Sequence, residues 1–393
     1  MPFIREHFHF FGSREMVSIY ILIALVNFAE GLMSIFVPIY FWKLGFPIWK
    51  ILSFYFLVSL FFVIITFLLL PLLRRLSDKL MMFFSAPFLV FYYVGLSVLP
   101  EIPTLFYVLP AVGALAALLF NVGYHIDFSG SSSDGYIGRE VGFGSTVGAL
   151  AQFAAPVVGG FLIAIFGFAD NFFIGSGILV LAMIPLFFFP GRKSSSDLRG
   201  SLLCKFLFDK NLLPFTLSGV GYSVETSVAR VMWPLFIFLA IGGVEEFGGI
   251  ISIGLLGGAL ATYLTGVVSD QGKRRKVLAW CAGIFSAFWI ARPFFISSFA
   301  VVANHVGGNI FNSSLMVTYT SQYYKIARSF RVPVLFILSR EVLYNATRVL
   351  VLPIFMYIAY AFSQNTFFTA SFIIAAIFTL FYFFANRFHI SAL

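Results

Sequence analysis

Residues 19–41 read IYILIALVNFAEGLMSIFVPIYF, an apolar run with one carboxylate, Glu30, near its middle. A helix of about 20 apolar residues crosses the hydrocarbon core of a bilayer, so this run is long enough to span a membrane. A charged carboxylate at the centre of such a helix costs about 2.5–3.5 kcal/mol on insertion scales. The position of Glu30 therefore predicts surroundings other than lipid for its side chain.

The composition extends this pattern to the whole chain. Its 393 residues are 60% hydrophobic and only 10% charged, whereas charged side chains make up about 25% of an average soluble domain. The first apolar run is too long for a signal-peptide core and lacks a small-residue cleavage site, so we expect it to be retained. These features predict an all-α integral membrane protein.

Polar breaks divide the sequence into twelve predicted transmembrane spans. Spans 1–6 lie near 16–42, 50–73, 80–99, 105–126, 141–166 and 172–190. Spans 7–12 lie near 212–241, 248–268, 277–293, 299–321, 333–361 and 366–386. The longest polar break, 191–211, is predicted to link an N-terminal six-helix bundle (1–190) to a C-terminal one (212–393). Within it, Leu198, Leu202 and Phe206 have the spacing of a short amphipathic helix on the membrane surface.

The basic residues favour one side of this topology. Nineteen of the 25 Lys and Arg residues fall on the side of the N-terminus, at Arg5, Arg14, Arg74, Arg75, Lys79, Arg139, Arg192, Lys193, Arg199, Lys205, Lys210, Lys273, Arg274, Arg275, Lys276, Lys325, Arg328, Arg331 and Arg387. The opposite side has three, Lys43, Lys50 and Arg292. Because Lys and Arg collect in cytoplasmic loops, both termini are expected in the cytoplasm and the protein in the cell membrane.

Charge and cysteine content argue against other classes of protein. The net charge of +9 follows the loops of one side, so we expect a bilayer and no nucleic acid as its partner. The two cysteines, Cys204 and Cys281, offer neither a disulfide framework nor a metal-ligand cluster. We expect the protein to bind no cofactor or metal and to be a monomer.

The two sets of six spans begin with the same features. Residues 27–45 read NFAEGLMSIFVPIYFWKLG, and residues 222–242 read YSVETSVARVMWPLFIFLAIG. Each stretch has a mid-span glutamate, Glu30 or Glu225, followed by a proline and an aromatic-rich end that closes with glycine. The matching order indicates that span 7 repeats span 1.

Two further matches follow at a similar offset. RRLSDKL (74–80) after span 2 corresponds to VVSDQGKRRKVL (267–278) after span 8. REVGFGST (139–146) and REVLYNAT (340–347) open spans 5 and 11. Three matches in one order indicate a duplicated six-helix unit with both copies in the same orientation.

Twelve spans in two parallel halves, with a basic loop after spans 2 and 8, resemble the major facilitator superfamily of secondary transporters. The loop signature of that family is roughly G-x-x-x-D-R-x-G-R-R. Four positions of the second loop match it: Gly266, Asp270, Arg274 and Arg275. Gln271 replaces the first basic residue, and the first loop keeps only Asp78 and Lys79. In span 5, Pro156, Gly159 and Gly160 resemble the family's Pro-x-x-Gly-Gly stretch, where they allow a bend and close helix packing.

The resemblance implies an alternating-access transporter with a cytoplasmic gate. Asp78 and Asp270 lie where a span meets the cytoplasm, and they are either gate residues or plain interfacial charges. Arg340 and Glu341 on span 11 correspond to Arg139 and Glu140 on span 5. We assign these residues, with Gly266, Arg274 and Arg275, to the predicted gate.

The resemblance also implies a central cavity lined by spans 1, 4, 7 and 10. Asn27, Glu30 and Ser34 form a polar stripe on one face of span 1, and Ser218, Tyr222 and Glu225 form the corresponding stripe on span 7. Polar side chains of other spans join the predicted cavity: His125, Asn309, Asn345 and Arg348. Carboxyl groups there can take up and release protons, although hydrogen bonding to neighbouring helices is the other interpretation.

Mid-membrane arginines bear on the substrate. Arg230 lies about 140° round the helix from Glu225, so the two are poorly placed to pair within span 7. Arg230 and Arg348 either bind an anionic substrate or form structural ion pairs. They favour a polar or anionic solute over a hydrophobic cation.

Two alternative functions remain. SSDGYIGRE (132–140) faintly resembles the opening of membrane phosphotransferases, but the further aspartates that such metal chemistry requires are missing. An enzyme is therefore not expected. A proton-coupled multidrug exporter is the closer rival, although span 4 lacks the arginine that such exporters usually carry.

Overall fold

The computed structural model describes residues 14–131, 137–188, 200–268, 274–294, 297–330 and 333–387. Twelve long helices, α1–α12, cover the twelve predicted spans. The first six are α1 (Arg14–Met33, Ser34–Phe36 and Val37–Lys43), α2 (Ile48–Leu73), α3 (Asp78–Ser97), α4 (Leu105–Ser131), α5 (Ile137–Phe166) and α6 (Phe168–Ala182). The second six are α7 (Leu213–Ser227, Val228–Met232 and Trp233–Ile241), α8 (Val244–Val268), α9 (Arg274–Ala291), α10 (Ser298–Ser329), α11 (Pro333–Ala361) and α12 (Gln364–Thr379).

Membrane-spanning character follows from length and composition. Eleven of the helices in the described ranges are long and apolar enough to cross a bilayer. The remaining one, α10, has 32 residues but carries many polar side chains, among them Asn304, His305 and Asn309. The structure thus confirms a multi-pass, all-α membrane protein, with twelve helices where the sequence predicts twelve spans.

Helices α1 and α7 share an interruption at matching places. In α1 a 3₁₀ turn at Ser34–Phe36 precedes Pro38, and in α7 a π-helical segment at Val228–Met232 precedes Pro234. A proline inside a helix donates no backbone hydrogen bond and clashes with the carbonyl four residues earlier. The local change of winding absorbs this conflict. Both interruptions begin three or four residues after the mid-span glutamate.

Two glycines end these helices in the same way. Gly45 follows α1 with φ 82°, and Gly242 follows α7 with φ 93°. This left-handed backbone conformation is open to glycine at little steric cost. The repeat found in the sequence therefore has a structural counterpart at the C-terminal end of the first helix of each half.

The two halves contact each other along two pairs of helices, α5 with α8 and α2 with α11. The Val157 amide donates to Ser252 Oγ at 3.1 Å, which joins α5 to α8. A Cβ atom added to Gly160 would lie 2.7 Å from the Val244 carbonyl oxygen, and one added to Gly159 would lie 2.8 Å from the Leu32 carbonyl oxygen. The predicted close approach at these glycines is confirmed, because a larger side chain would collide with backbone.

A short connector helix, Gly200–Leu207, precedes α7. Its Leu203 is buried in one apolar cluster with Leu70 of α2 and Leu338 of α11, and the Phe206 ring lies 4.9 Å from the ring of Phe330. The predicted helix exists, but it packs between the two halves instead of lying only on the membrane surface. Residues 191–199 of the break lie outside the described residues, so the domain limits stay a prediction.

Candidate functional site

Glu30 lies halfway along α1 and is half-buried. The Tyr93 hydroxyl of α3 lies 3.0 Å from each carboxylate oxygen and donates to them. Tyr93 is itself 2% exposed, so the neighbouring helix supplies a fixed donor. Sequence reasoning missed this partner, although the adjacent tyrosines at 92–93 lie near the middle of span 3.

The rest of the predicted stripe on α1 keeps accessible surface at mid-span. Asn27 Oδ1 accepts from Gln152 Nε2 of α5 at 3.0 Å. Ser34, in the 3₁₀ turn, is exposed. The stripe of Asn27, Glu30 and Ser34 therefore lies on a polar, accessible strip of α1, as its helical spacing predicts.

Glu225 differs from its counterpart in α1. Its carboxylate is only 1% exposed, and Oε1 has no hydrogen-bond partner within the described ranges. Its strongest attraction is to Arg292, in the 3₁₀ turn (Arg292–Phe294) that follows α9, and the next is to Arg230. In this conformation the Glu225 side chain is buried inside the C-terminal half, and its place in the predicted cavity stays a prediction.

The predicted topology places Arg292 in a loop on the side of the membrane opposite the termini, but the structure buries this residue. It is 3% exposed, and its guanidinium carbon lies 3.4 Å from the Trp289 ring centre and 4.0 Å from that of Trp233. Arg292 Nε donates to Asn304 Oδ1 at 3.2 Å. Stacking on two indole rings stabilises a buried cation, so Arg292 belongs to the interior of the C-terminal half.

Arg230 lies in the π-helical segment of α7 and is exposed at mid-span. It attracts both Glu30 of α1 and Glu225. In the part of the chain that the structure describes, no carboxylate lies within ion-pair distance of its guanidinium. The predicted failure of Arg230 and Glu225 to pair within the helix is confirmed.

Arg348 approaches the same region from α11. Its Nη2 donates to Thr226 Oγ1 at 3.3 Å, and Nη1 donates to Asn345 Oδ1 at 3.4 Å. The Asn345 side chain donates in turn to the Glu341 carbonyl oxygen at 2.9 Å. The predicted common face of Glu341, Asn345 and Arg348 is confirmed, and its end points towards α7.

Tyr222 forms the aromatic end of this region. Its ring centre lies 4.5 Å from that of Tyr344 and 6.1 Å from that of Tyr319. Tyr222 is half-buried, whereas Ser218, one turn earlier, is buried and donates to the Phe215 carbonyl oxygen. Of the predicted α7 stripe, Tyr222 alone keeps accessible surface.

A second cluster lies nearer the connector helix, between α4 and α11. Arg340 Nη2 donates to Glu341 Oε1 at 2.6 Å and to His125 Nε2 at 3.3 Å. The Arg340 guanidinium carbon also lies 3.7 Å from the Tyr323 ring centre. His125, which the sequence assigns to the cavity, thus contacts Arg340 of the predicted gate and joins the two halves.

The structure describes the surroundings of only some of the other predicted gate residues. Asp78 is fully buried at the first turn of α3, where a carboxylate is favoured by the helix dipole. Gly266 lies in the last turn of α8, and Arg274 and Arg275 open α9. The gate assignments that fall outside the described residues or side chains are Arg139, Glu140 and Asp270.

Asn309 has partners within its own half. Its amide donates to the His305 carbonyl oxygen at 2.9 Å, and His305 Nδ1 accepts from Trp233 Nε1 at 3.0 Å. Asn309 is half-buried. Its place in the predicted cavity stays a prediction.

The residues Glu30, Arg230 and Arg348 at mid-membrane combine an acid with two cationic hydrogen-bond donors. Glu30 is an acid whose surroundings are accessible, so it can exchange a proton. Arg230 and Arg348 supply planar, permanently charged donors suited to carboxylate or phosphate oxygens. Glu30 belongs to the N-terminal half and the two arginines belong to the C-terminal half, and Glu30 and Arg230 attract each other.

No protein-family model and no curated protein matches this chain, but solved structures match nearly all of it. The fucose:proton symporter FucP of E. coli, as a point variant, gives a TM-score of 0.68 at 15% identity over 95% of this chain and 98% of the symporter. A point variant of the nucleoside transporter NupG gives 0.69 at 13% identity, over 95% of this chain and 99% of that one.

A POT family transporter in complex with a thioalcohol-conjugated peptide gives a TM-score of 0.75 at 12% identity, over 95% of this chain and 96% of that one. FucP is described as a major facilitator superfamily transporter. The chain therefore has the major facilitator superfamily fold, as the sequence predicts. All three similar proteins are described as transporters.

Proposed function

We propose that this protein is a secondary active transporter that moves a small polar or anionic solute by alternating access, with a proton as the coupling ion. The observation that carries the proposal is Glu30. It is a half-buried acid at mid-membrane in one half, and the charge of Arg230 in the other half attracts it. An acid kept at this depth against its insertion cost points to function.

Alternating access requires that contacts between the halves close one side at a time. On the side of the connector helix, His125 and Arg340 join α4 to α11. On the opposite side, the ring centres of Phe36 and Phe247 lie 5.5 Å apart, and Lys43 Nζ lies 5.6 Å from the Phe238 ring centre. In the proposed cycle these two sets of contacts open in turn.

Proton coupling is assigned to Glu30 and Tyr93. Arg230 and the Tyr93 hydroxyl both favour the ionised carboxylate, one by charge and the other by donating a hydrogen bond. A rocking motion that separates the halves would move Arg230 away from Glu30. The carboxylate would then gain a proton on one side of the membrane and lose it on the other.

The membrane in which the protein lies and the side of its termini are also proposed. The excess of basic residues on one side supports a cell-membrane protein with both termini in the cytoplasm. The connector side is then the cytoplasmic side, and His125, Arg340, Glu341 and Asp78 belong to the cytoplasmic gate. We propose a monomer, since each chain holds both halves.

The proposal is tested with purified protein in liposomes. A panel of labelled sugars, nucleosides, peptides and organic anions is offered under an imposed pH gradient, with an ionophore that collapses it as the control. We expect accumulation of at least one solute that disappears when the gradient is collapsed. Export of hydrophobic cations under the same gradient would favour the multidrug antiporter instead. If no solute of the panel accumulates, that result would count against transport.

A further inference from the structure

The charges at the centre of the described ranges do not balance. Glu341 pairs directly with Arg340, and Glu225 is attracted most strongly to Arg292 in the interior of the C-terminal half. Glu30 accepts from Tyr93. Within the described ranges, Arg230 and Arg348 are left with no carboxylate at ion-pair distance.

These two arginines are neighbours. Arg348 Nη2 lies 3.3 Å from Thr226 Oγ1, and Thr226 precedes Arg230 by one turn on the same side of α7. The two guanidinium groups repel each other. The sequence thus places like charges side by side where the membrane makes charge costly.

Hydrogen bonds hold the Arg348 side chain in one direction, but no negative group neutralises its charge within the described ranges. Thr226 and Asn345 accept from it through a hydroxyl and an amide oxygen, and neither carries charge. Two hydrogen bonds fix the direction of the guanidinium but leave other N–H donors free for a ligand. Arg230 is exposed in the π-helical segment of α7, whereas Glu225 is buried.

We infer that Arg230 and Arg348 form a clamp for an anionic group of the substrate, a carboxylate or a phosphate. Arginine binds both groups through parallel N–H donors. An anion between the two would remove their repulsion and would compete with Glu30 for Arg230. The half-buried ring of Tyr222 lies one turn before Thr226, where it would contact the uncharged part of the solute. This inference rests on the proposed transport function and narrows its substrate to anions.

Binding is measured by thermal shift and isothermal titration on detergent-purified protein at constant ionic strength. The probes are succinate, L-lactate, inorganic phosphate and glycerol 3-phosphate, with glycerol and erythritol as neutral partners. We expect at least one anion to bind and the neutral probes not to. Carboxylate and phosphate probes distinguish the two kinds of anionic group.

Arg348→Gln and Arg230→Gln should each weaken that binding at least tenfold. Lys210→Gln, at an exposed cation of the connector, should leave it unchanged. Arg348→Lys keeps the charge but loses the planar fork, so intermediate affinity is expected. This variant also keeps the test informative if Arg348→Gln fails to fold, which gel filtration shows.

Anion affinity that is unchanged in both glutamine variants overturns the inference, as does a panel in which no anion binds. Accumulation of a neutral solute in liposomes, unaffected by Arg348→Gln, would reject the anion clamp and leave the transport proposal standing. Anion binding that depends on both arginines, without any movement of anion in liposomes, would support the clamp and reject transport.

Discussion

Glu225 and Arg292 are two buried, opposite charges that attract each other inside the C-terminal half, and this attraction gives a prediction about stability. Arg292→Gln should lower the free energy of unfolding by about 3–5 kcal/mol, the usual cost of leaving one partner of a buried charge pair alone. The variant also loses the stacking on Trp233 and Trp289, where a desolvated cation gains about 2 kcal/mol.

Glu225→Gln should cost less, about 1–3 kcal/mol. In this variant Arg292 still stacks on two indole rings and donates to Asn304, so its charge is partly compensated. If the two charges stabilise each other, the double variant must be more stable than the sum of the single effects implies. The expected coupling is about 1–3 kcal/mol.

The assay is reversible unfolding of the purified protein in mixed detergent micelles, with thermal shift as a second readout. Lys210→Gln is the matched control for loss of a cation from an exposed site. Effects of the two single variants that add to within about 0.5 kcal/mol would mean that Glu225 and Arg292 act independently. That result would refute the interpretation of Glu225 as a partner of Arg292.

Three further predictions follow from particular contacts. Tyr93→Phe removes the donor to Glu30, so half-maximal pH-driven accumulation should move to higher pH; an unchanged pH profile in liposomes would deny Tyr93 this role. Because arginine can only donate, the His125 nitrogen facing Arg340 must accept. His125→Gln should therefore keep the cytoplasmic gate, whereas His125→Ala should speed thiol labelling at Ser339→Cys from the cytoplasmic side, and equal rates would contradict this. Cys204 is exposed and should resist a membrane-impermeant thiol reagent on intact cells; strong labelling would reverse the proposed orientation.

Much of the fold can be predicted from the sequence because the membrane restricts the structures that an apolar segment can form. Each apolar run must satisfy its own backbone hydrogen bonds, so it becomes a helix with limits close to those of the run. The duplication was readable because Glu30 and Glu225, each followed by a proline and a glycine, recur in order. The two interruptions before Pro38 and Pro234 differ in winding, however, and the sequence predicts neither the 3₁₀ turn nor the π-helical segment.

The candidate site was readable only in part, because helical spacing fixes the face of a side chain but not the neighbour that it meets. Symmetry made Glu30 and Glu225 equivalent, yet one is half-buried beside Tyr93 and the other is enclosed with Arg292. Arg292 looked like a loop residue because the indole ring of Trp233, which covers it, lies 59 positions earlier in the chain. His125 was placed in the cavity for a similar reason, since its partner Arg340 belongs to the other half.

Whether Glu30 carries the coupling proton can be tested by comparing wild type with one variant. Wild type and Glu30→Gln are placed in liposomes, and each is assayed for pH-driven accumulation and for solute exchange at equal pH. Glutamine keeps the size of the side chain and can still accept from Tyr93, but it cannot ionise. Glu101→Gln, at an exposed acid in the loop between α3 and α4, is the control.

We expect Glu30→Gln to abolish accumulation and to retain exchange, because exchange needs no net movement of protons. Glu101→Gln should retain both activities, and the folded fraction of Glu225→Gln should also retain pH-driven accumulation. Full pH-driven accumulation by Glu30→Gln would show that another group or another ion provides the coupling.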